Sequence, residues 1–152
     1  MRLAGALLLC LMATPLLAKE RLGAYQSWAA FKDAEIPRCY AIGSPDESSG
    51  TGGYVSVGFW PKRGLSHQLF VRLSRTRSSN AGITLSVGGR RFQLTADGNT
   101  GRAKDRAMDL AIIAAMRSSQ SMSVQSSGVT DAYALRGAAS AIDAAALGCA
   151  GK

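Results

Sequence analysis

The sequence predicts a mainly β domain carrying one or two packed α-helices. Three observations point there. Apolar residues recur at every second position in residues 54–60 (YVSVGFW) and again in 68–75; a Gly88-Gly89 pair joins two further alternating stretches; and apolar residues at helical spacing are confined to two later segments, near 104–117 and 138–148. A chain of 152 residues is the size of one ordinary domain, and 47% hydrophobic against 18% charged residues excludes a disordered chain.

Residues 1–18 read as a secretory signal peptide, with Arg2 as the positive start, an apolar core over 3–12, and PLLA before the polar Lys19-Glu20. A cut after Ala18 leaves a single domain over 19–152. Leu16 is larger than the small residue preferred three places before such a cut, so a cut a few residues away and retention as an anchor stand as alternatives. Cys10 lies inside the apolar core and is expected to leave with it. No later stretch approaches the roughly 20 apolar residues of a membrane-spanning helix.

Residues 44–53 (SPDESSGTGG) are expected as a surface loop. In the strand 54–60, Val55, Val57 and Phe59 face one side while Tyr54, Ser56 and Trp60 face the other. In 68–75, Leu69, Val71 and Leu73 alternate with Phe70, Arg72 and Ser74. Residues 83–87 and 90–94 form a hairpin, because Gly88-Gly89 supplies the positive dihedrals of a tight primed turn. Residues 97–101 (DGNTG) are expected to break the sheet. The helix near 104–117 carries a stripe of Met108, Ala111, Ile112, Ala115 and Met116. Two strands, 122–125 and 129–135, flank a Ser-Ser-Gly turn, and 138–147 forms a last helix capped by Gly148.

Once the leader is removed, Cys39 and Cys149 remain as an even pair in an exported chain. One disulfide is the simplest reading, and two buried thiols are the alternative. A bond would tie the last helix to an early strand at residues 39–42 (CYAI). Two cysteines and one distant His67 lack the close ligand pairs of a zinc site, and no cofactor motif is present.

Several segments together resemble the invasion-associated locus B family of exported bacterial proteins: Trp28, residues 39–41 (CYA), 54–64 (YVSVGFWPKRG), the 87–94 hairpin, 111–117 (AIIAAMR), and 131–137 (DAYALRG) through to Cys149. Their order and spacing run through most of residues 25–149. The resemblance implies an immunoglobulin-like β-sandwich, export to the periplasm or outside of a Gram-negative bacterium, and a paired Cys39 and Cys149. It supplies no catalytic residues. Relatives often carry a further cysteine just after the Trp28 region, where this chain has Phe31, and a role in host-cell entry is not carried over.

Catalysis by a nucleophile and base is not expected, because His67 stands alone between a turn and a strand and Ser66 is an ordinary loop serine. Asp33, Glu35, Asp46 and Glu47 are expected in loops. Charge is uneven: residues 60–106 hold ten basic side chains against Asp97 and Asp105, while the rest of 19–152 is close to neutral. Strand alternation turns Arg72 and Arg91 outward together with Trp60 and Phe70. Trp60, Lys62, Arg63, Phe70, Arg72 and Arg91 are therefore the candidate ligand surface, suited to a polyanion through charge and cation–π contact. The candidate partners are lipopolysaccharide, an anionic lipid surface met peripherally, or a glycan. Nucleic acid is not expected. The plainer alternative is that these cations only solubilise the sheet and guard its edges. The expected function is that of a non-enzymatic, exported envelope-associated or interaction protein with an unidentified partner; its rival is a binder of an anionic ligand.

Overall fold

A computed structural model describes residues 19–150, so the expected leader, its cut and Cys10 lie outside the described residues. The strands are β1 (Glu20–Tyr25), β2 (Trp28–Asp33), β3 (Arg38–Gly43), β4 (Tyr54–Trp60), β5 (Leu65–Arg72), β6 (Ile83–Val87), β7 (Arg90–Asp97), β8 (Thr100–Arg102), β9 (Ser121–Ser126) and β10 (Val129–Ala134). Two helices, α1 (Arg106–Ser118) and α2 (Ala138–Cys149), complete the fold. All the strand pairs are antiparallel, in the order β1-β2-β3-β4-β5-β8-β7-β6-β9-β10. The expected mainly β class with one or two helices is thus met, by two helices among the described residues.

β7 belongs to both halves of this sheet. Its residues Arg90 to Leu94 pair with β6, whereas Thr95 to Asp97 pair with β8. The strand alternation then sorts residues as expected, with Val55, Val57, Phe59, Leu69 and Val71 of one half joining Ile83, Leu85, Phe92, Leu94 and Val124 of the other in a single core. The ends of the sheet meet as well, since Trp28 Nε1 donates to the Ala134 carbonyl at 2.9 Å. The sheet is therefore curled, with its apolar face inside.

α2 lies on that inner face. Ala138, Ala141, Ile142 and Ala145 are buried, and three alanines out of four let the helix axis come close to the strands. Its entry is tight: Gly137 has φ of 88°, and a Cβ there would overlap the Tyr25 carbonyl oxygen. Its far end is held by the Cys39–Cys149 disulfide, which bridges α2 to β3 across 110 residues of sequence. α1 starts at Arg106 rather than 104, because the Asp105 side chain accepts the Met108 N–H at 2.8 Å and so sets the N-cap there.

Several expectations change. Residues 97–101 do not break the sheet: Asp97 pairs with Thr100 across a turn at Gly98, and β8 inserts between β7 and β5. β5 starts three residues before the expected 68 and ends at Arg72, after which the Leu73 N–H donates to the Asn99 carbonyl. The surface loop expected at 44–53 is present, and it is tied down, with Asp46 N–H donating to Ala132 O and Ser49 Oγ accepting from Ala132 N–H at 3.0 Å. It thereby covers part of the outer edge of β10. Gly148 lies inside α2, against Leu22, and not at a cap. Asp33 is no loop residue but the buried end of β2.

Candidate functional site

The outer face of β3, β4, β5 and β8 carries a groove whose shape follows from strand register. Tyr40, Gly58 and Gln68 form one cross-strand row, and Ile42, Ser56, Phe70 and Arg102 form the next. The small residues of both rows fall on β4, while larger side chains rise on either side. A Cβ at Gly58 would stand 3.1 Å from Trp60 Nε1, so any larger residue there would press on the indole. The result is an open groove of about 550 Å³.

Arginines stack on its aromatic walls. Arg38 Cζ lies 4.6 Å from the Tyr40 ring centroid and 5.2 Å from that of Trp60. Arg63 Cζ stands 5.1 Å from the Trp60 centroid, and Arg102 Cζ 5.2 Å from that of Phe70. All are within the distance at which a cation is held by a ring quadrupole. Stacking fixes the guanidinium planes while leaving N–H donors at their edges. Arg38 reaches Asp33 only at 3.9 Å, and its Nε is buried with no hydrogen-bond partner among the described residues. Arg63 and Arg102 stand in no ion pair among the described residues. Lys19 adds a fourth cation to the lining.

The one acid in the lining, Asp109, has a structural task. β8 ends at Arg102, opposite Phe70, so the next β5 residue has no strand partner on that side. Asp109 Oδ1, from the first turn of α1, accepts the Leu69 N–H at 2.8 Å and closes the edge. Burial raises its pKa above the ordinary aspartate value, ahead of the opposing Leu69 bond and the Arg106 charge.

Of the expected surface, Trp60, Arg63 and Phe70 come together in the groove. Lys62, in the turn before Arg63, is exposed and outside the lining. Arg72 is exposed on the same strand as Phe70 but beyond the lining, opposite Tyr54 and Thr100. Arg91 pairs with Ser86 on the β6 side of the molecule and is separate from the groove. Sequence reasoning missed Lys19, Arg38, Tyr40, Tyr54, Arg102 and Asp109. The alternation of Arg38, Tyr40 and Ile42 against Cys39 and Ala41 would have found the β3 wall; Arg102 needed the β5–β8 pairing.

Other cations of the basic block have local duties. Arg77 donates to the carbonyls of Gly98, Ser78, Ser79 and Ala81, and so organises the segment before β6. Arg106 reaches Ser66 Oγ at 3.4 Å. His67 stands away from the groove lining, in a left-handed conformation with φ of 57°, where β5 bulges against β4. It meets Phe59 edge-on at 4.8 Å, and its Nδ1 is buried without a partner among the described residues. Burial first, then Arg117 and Arg106, hold its pKa below the ordinary histidine value.

Among the described residues, no His, Cys, Asp or Glu cluster could hold a metal ion, and no helix is long and apolar enough to cross a membrane. No family model, no curated protein and no solved structure matches this chain.

Proposed function

We propose that this protein is an exported, non-enzymatic interaction protein of the bacterial envelope, and that its groove binds an anionic ligand. One observation carries the binding half: three guanidiniums stacked on aromatic walls of one groove, with Asp109 the only acid in the lining and already committed to Leu69. Immobilised arginines, of which only Arg38 has an acid within 4 Å, are suited to donate paired N–H bonds to carboxylate, sulfate or phosphate oxygens. Export is supported by the leader-like residues 1–18 and by the Cys39–Cys149 bond, which suits an oxidising compartment such as the periplasm or the exterior of a Gram-negative cell. The ordered segments from Trp28 to Cys149 support membership of the invasion-associated locus B family. An immunoglobulin-like sandwich is our reading of the curled sheet, supported by its two halves sharing one core about β7.

Residues 19–152, oxidised, are expected to be retained by a panel of heparin, lipopolysaccharide and anionic-phospholipid vesicles at about 0.15 M salt. Replacing Arg38, Arg63 and Arg102 by Gln together should abolish retention. Arg72→Ser and Arg91→Ser should leave most of it. Absence of retention on every member of the panel, even at low salt, would end the binding reading; equal loss from either set of substitutions would show that bulk charge and not the groove is responsible.

A further inference from the structure

Resting on the anionic-ligand reading, we propose that the ligand of the groove is an acidic oligosaccharide, recognised by an acid group at the arginines and by sugar hydroxyls at the floor. The floor carries the discrimination. Between the aromatic walls it presents Ser56 and Gln68, one hydroxyl and one amide, both partly exposed beside the buried Gly58 in the middle of a sheet. An acyl chain laid there would cover polar groups without satisfying them, which is unfavourable. An acidic saccharide meets both features: its hydroxyls can exchange hydrogen bonds with Ser56 and Gln68, and its acid groups can pair with the arginines that cover Tyr40 and Trp60.

Size agrees with this class. About 550 Å³ lies within the roughly 300–1,000 Å³ of small-molecule sites and leaves room for a short oligosaccharide. Charge agrees too. Arg38 and Arg63 both lie within 5.2 Å of the Trp60 centroid, whereas Arg102 stands over Phe70 on β5. Cations at separate places along the groove match acid groups repeated along a polymer better than one compact headgroup. Each arginine can pair with a carboxylate or a sulfate, so a uronate and a sulfated sugar share the required chemistry.

The test is calorimetric titration of oxidised residues 19–152 with trigalacturonate, with a heparin hexasaccharide, with neutral galactotriose, and with vesicles of phosphatidylglycerol. Binding of either acidic oligosaccharide, with no heat from galactotriose, is expected, and the stronger of the two names the acid. Arg102→Gln should weaken it by roughly tenfold or more through loss of a charge-assisted pair. Ser56→Val, which closes the floor without touching charge, should weaken the oligosaccharide by several-fold and leave vesicle binding unchanged. Circular dichroism of each variant excludes unfolding as the cause. Binding to vesicles with none to oligosaccharides would overturn the saccharide while sparing the anionic reading; binding to neither would overturn both. Oligosaccharide binding indifferent to Ser56→Val would also reject the floor as the discriminating surface.

Discussion

At Asp109 a single carboxylate stands in for a missing strand, and its protonation has a definite consequence. Because burial raises the folded-state pKa, the native state holds this proton more tightly than the unfolded chain does. Its contribution to stability is therefore greatest at low pH and falls as pH rises from the reference value of 3.8 through the raised folded value. Asp109→Asn keeps an oxygen for the Leu69 N–H and removes the buried charge, so urea unfolding should show stability at pH 7 equal to or above that of the parent. Asp109→Ala orphans a buried donor and should lose about 1–3 kcal/mol. Equal losses in both variants would refute this role. His67 acts in the other sense: its lowered pKa favours the neutral ring, so its contribution is full above the reference 6.5 and is lost as pH falls through that value toward the folded one. His67→Asn, which tolerates the left-handed backbone, should flatten the fall of the unfolding midpoint as pH drops below 6.5. Neither role was legible in the sequence. Asp109 is one more polar position on a helix, and His67 reads as an edge residue until the bulge is seen.

Elements with strong internal periodicity were legible, and those without it were not. β4 and the β6–β7 hairpin follow from alternation and from Gly88-Gly89, and α1 follows from its apolar stripe. β1 and β2 were not recognised from pattern, because ERLGAY is mostly solvent-facing and WAAFKD mixes small, aromatic and charged residues without clean alternation. Both are strands because α2 and β3 hold them, which is tertiary information. The weight of that arrangement falls on two points at opposite ends of α2. Reducing Cys39–Cys149 releases a loop of 110 residues, for which chain entropy gives roughly 4 to 5 kcal/mol. Thermal melts with and without reductant should then differ by on the order of 10 °C or more. An unchanged melt would show that α2 docks without its covalent tie. At the other end, Gly137→Ala adds a Cβ into the Tyr25 carbonyl at positive φ, and it should lower stability by about 2 kcal/mol or more in urea. A loss below about 0.5 kcal/mol would mean the β1–α2 contact yields easily.

For the molecule as a whole, the basic block of the sequence was a sound guide to charge and a partial guide to place. Linear order groups Arg63 with Arg91, yet the pairing of β7 with β6 carries Arg91 away, while β3 and β8 bring in Arg38 and Arg102 from outside or at the border of the block. Cross-strand neighbours of this kind are set by topology, which composition does not encode. The same topology links the proposed leader cut to the groove. Lys19 is a lining residue, and on the proposed cut after Ala18 it is also the first residue of the mature chain. Its α-amino group, a type whose reference pKa in model peptides is about 7.7–8.0, would then add a titratable cation to the lining. Protonated, it joins Arg38, Arg63 and Arg102; deprotonated, it contributes no charge, whereas the arginines do not titrate in this range. Affinity for an anionic probe such as the heparin hexasaccharide should therefore fall by a few-fold between about pH 7 and 9 in protein recovered after export. Protein carrying an N-terminal acetyl group should bind more weakly at pH 7 and show little change across that range. A mature mass that begins elsewhere than Lys19, or a pH profile that survives acetylation, would place the sensitivity in some other group and remove the N-terminus from the site.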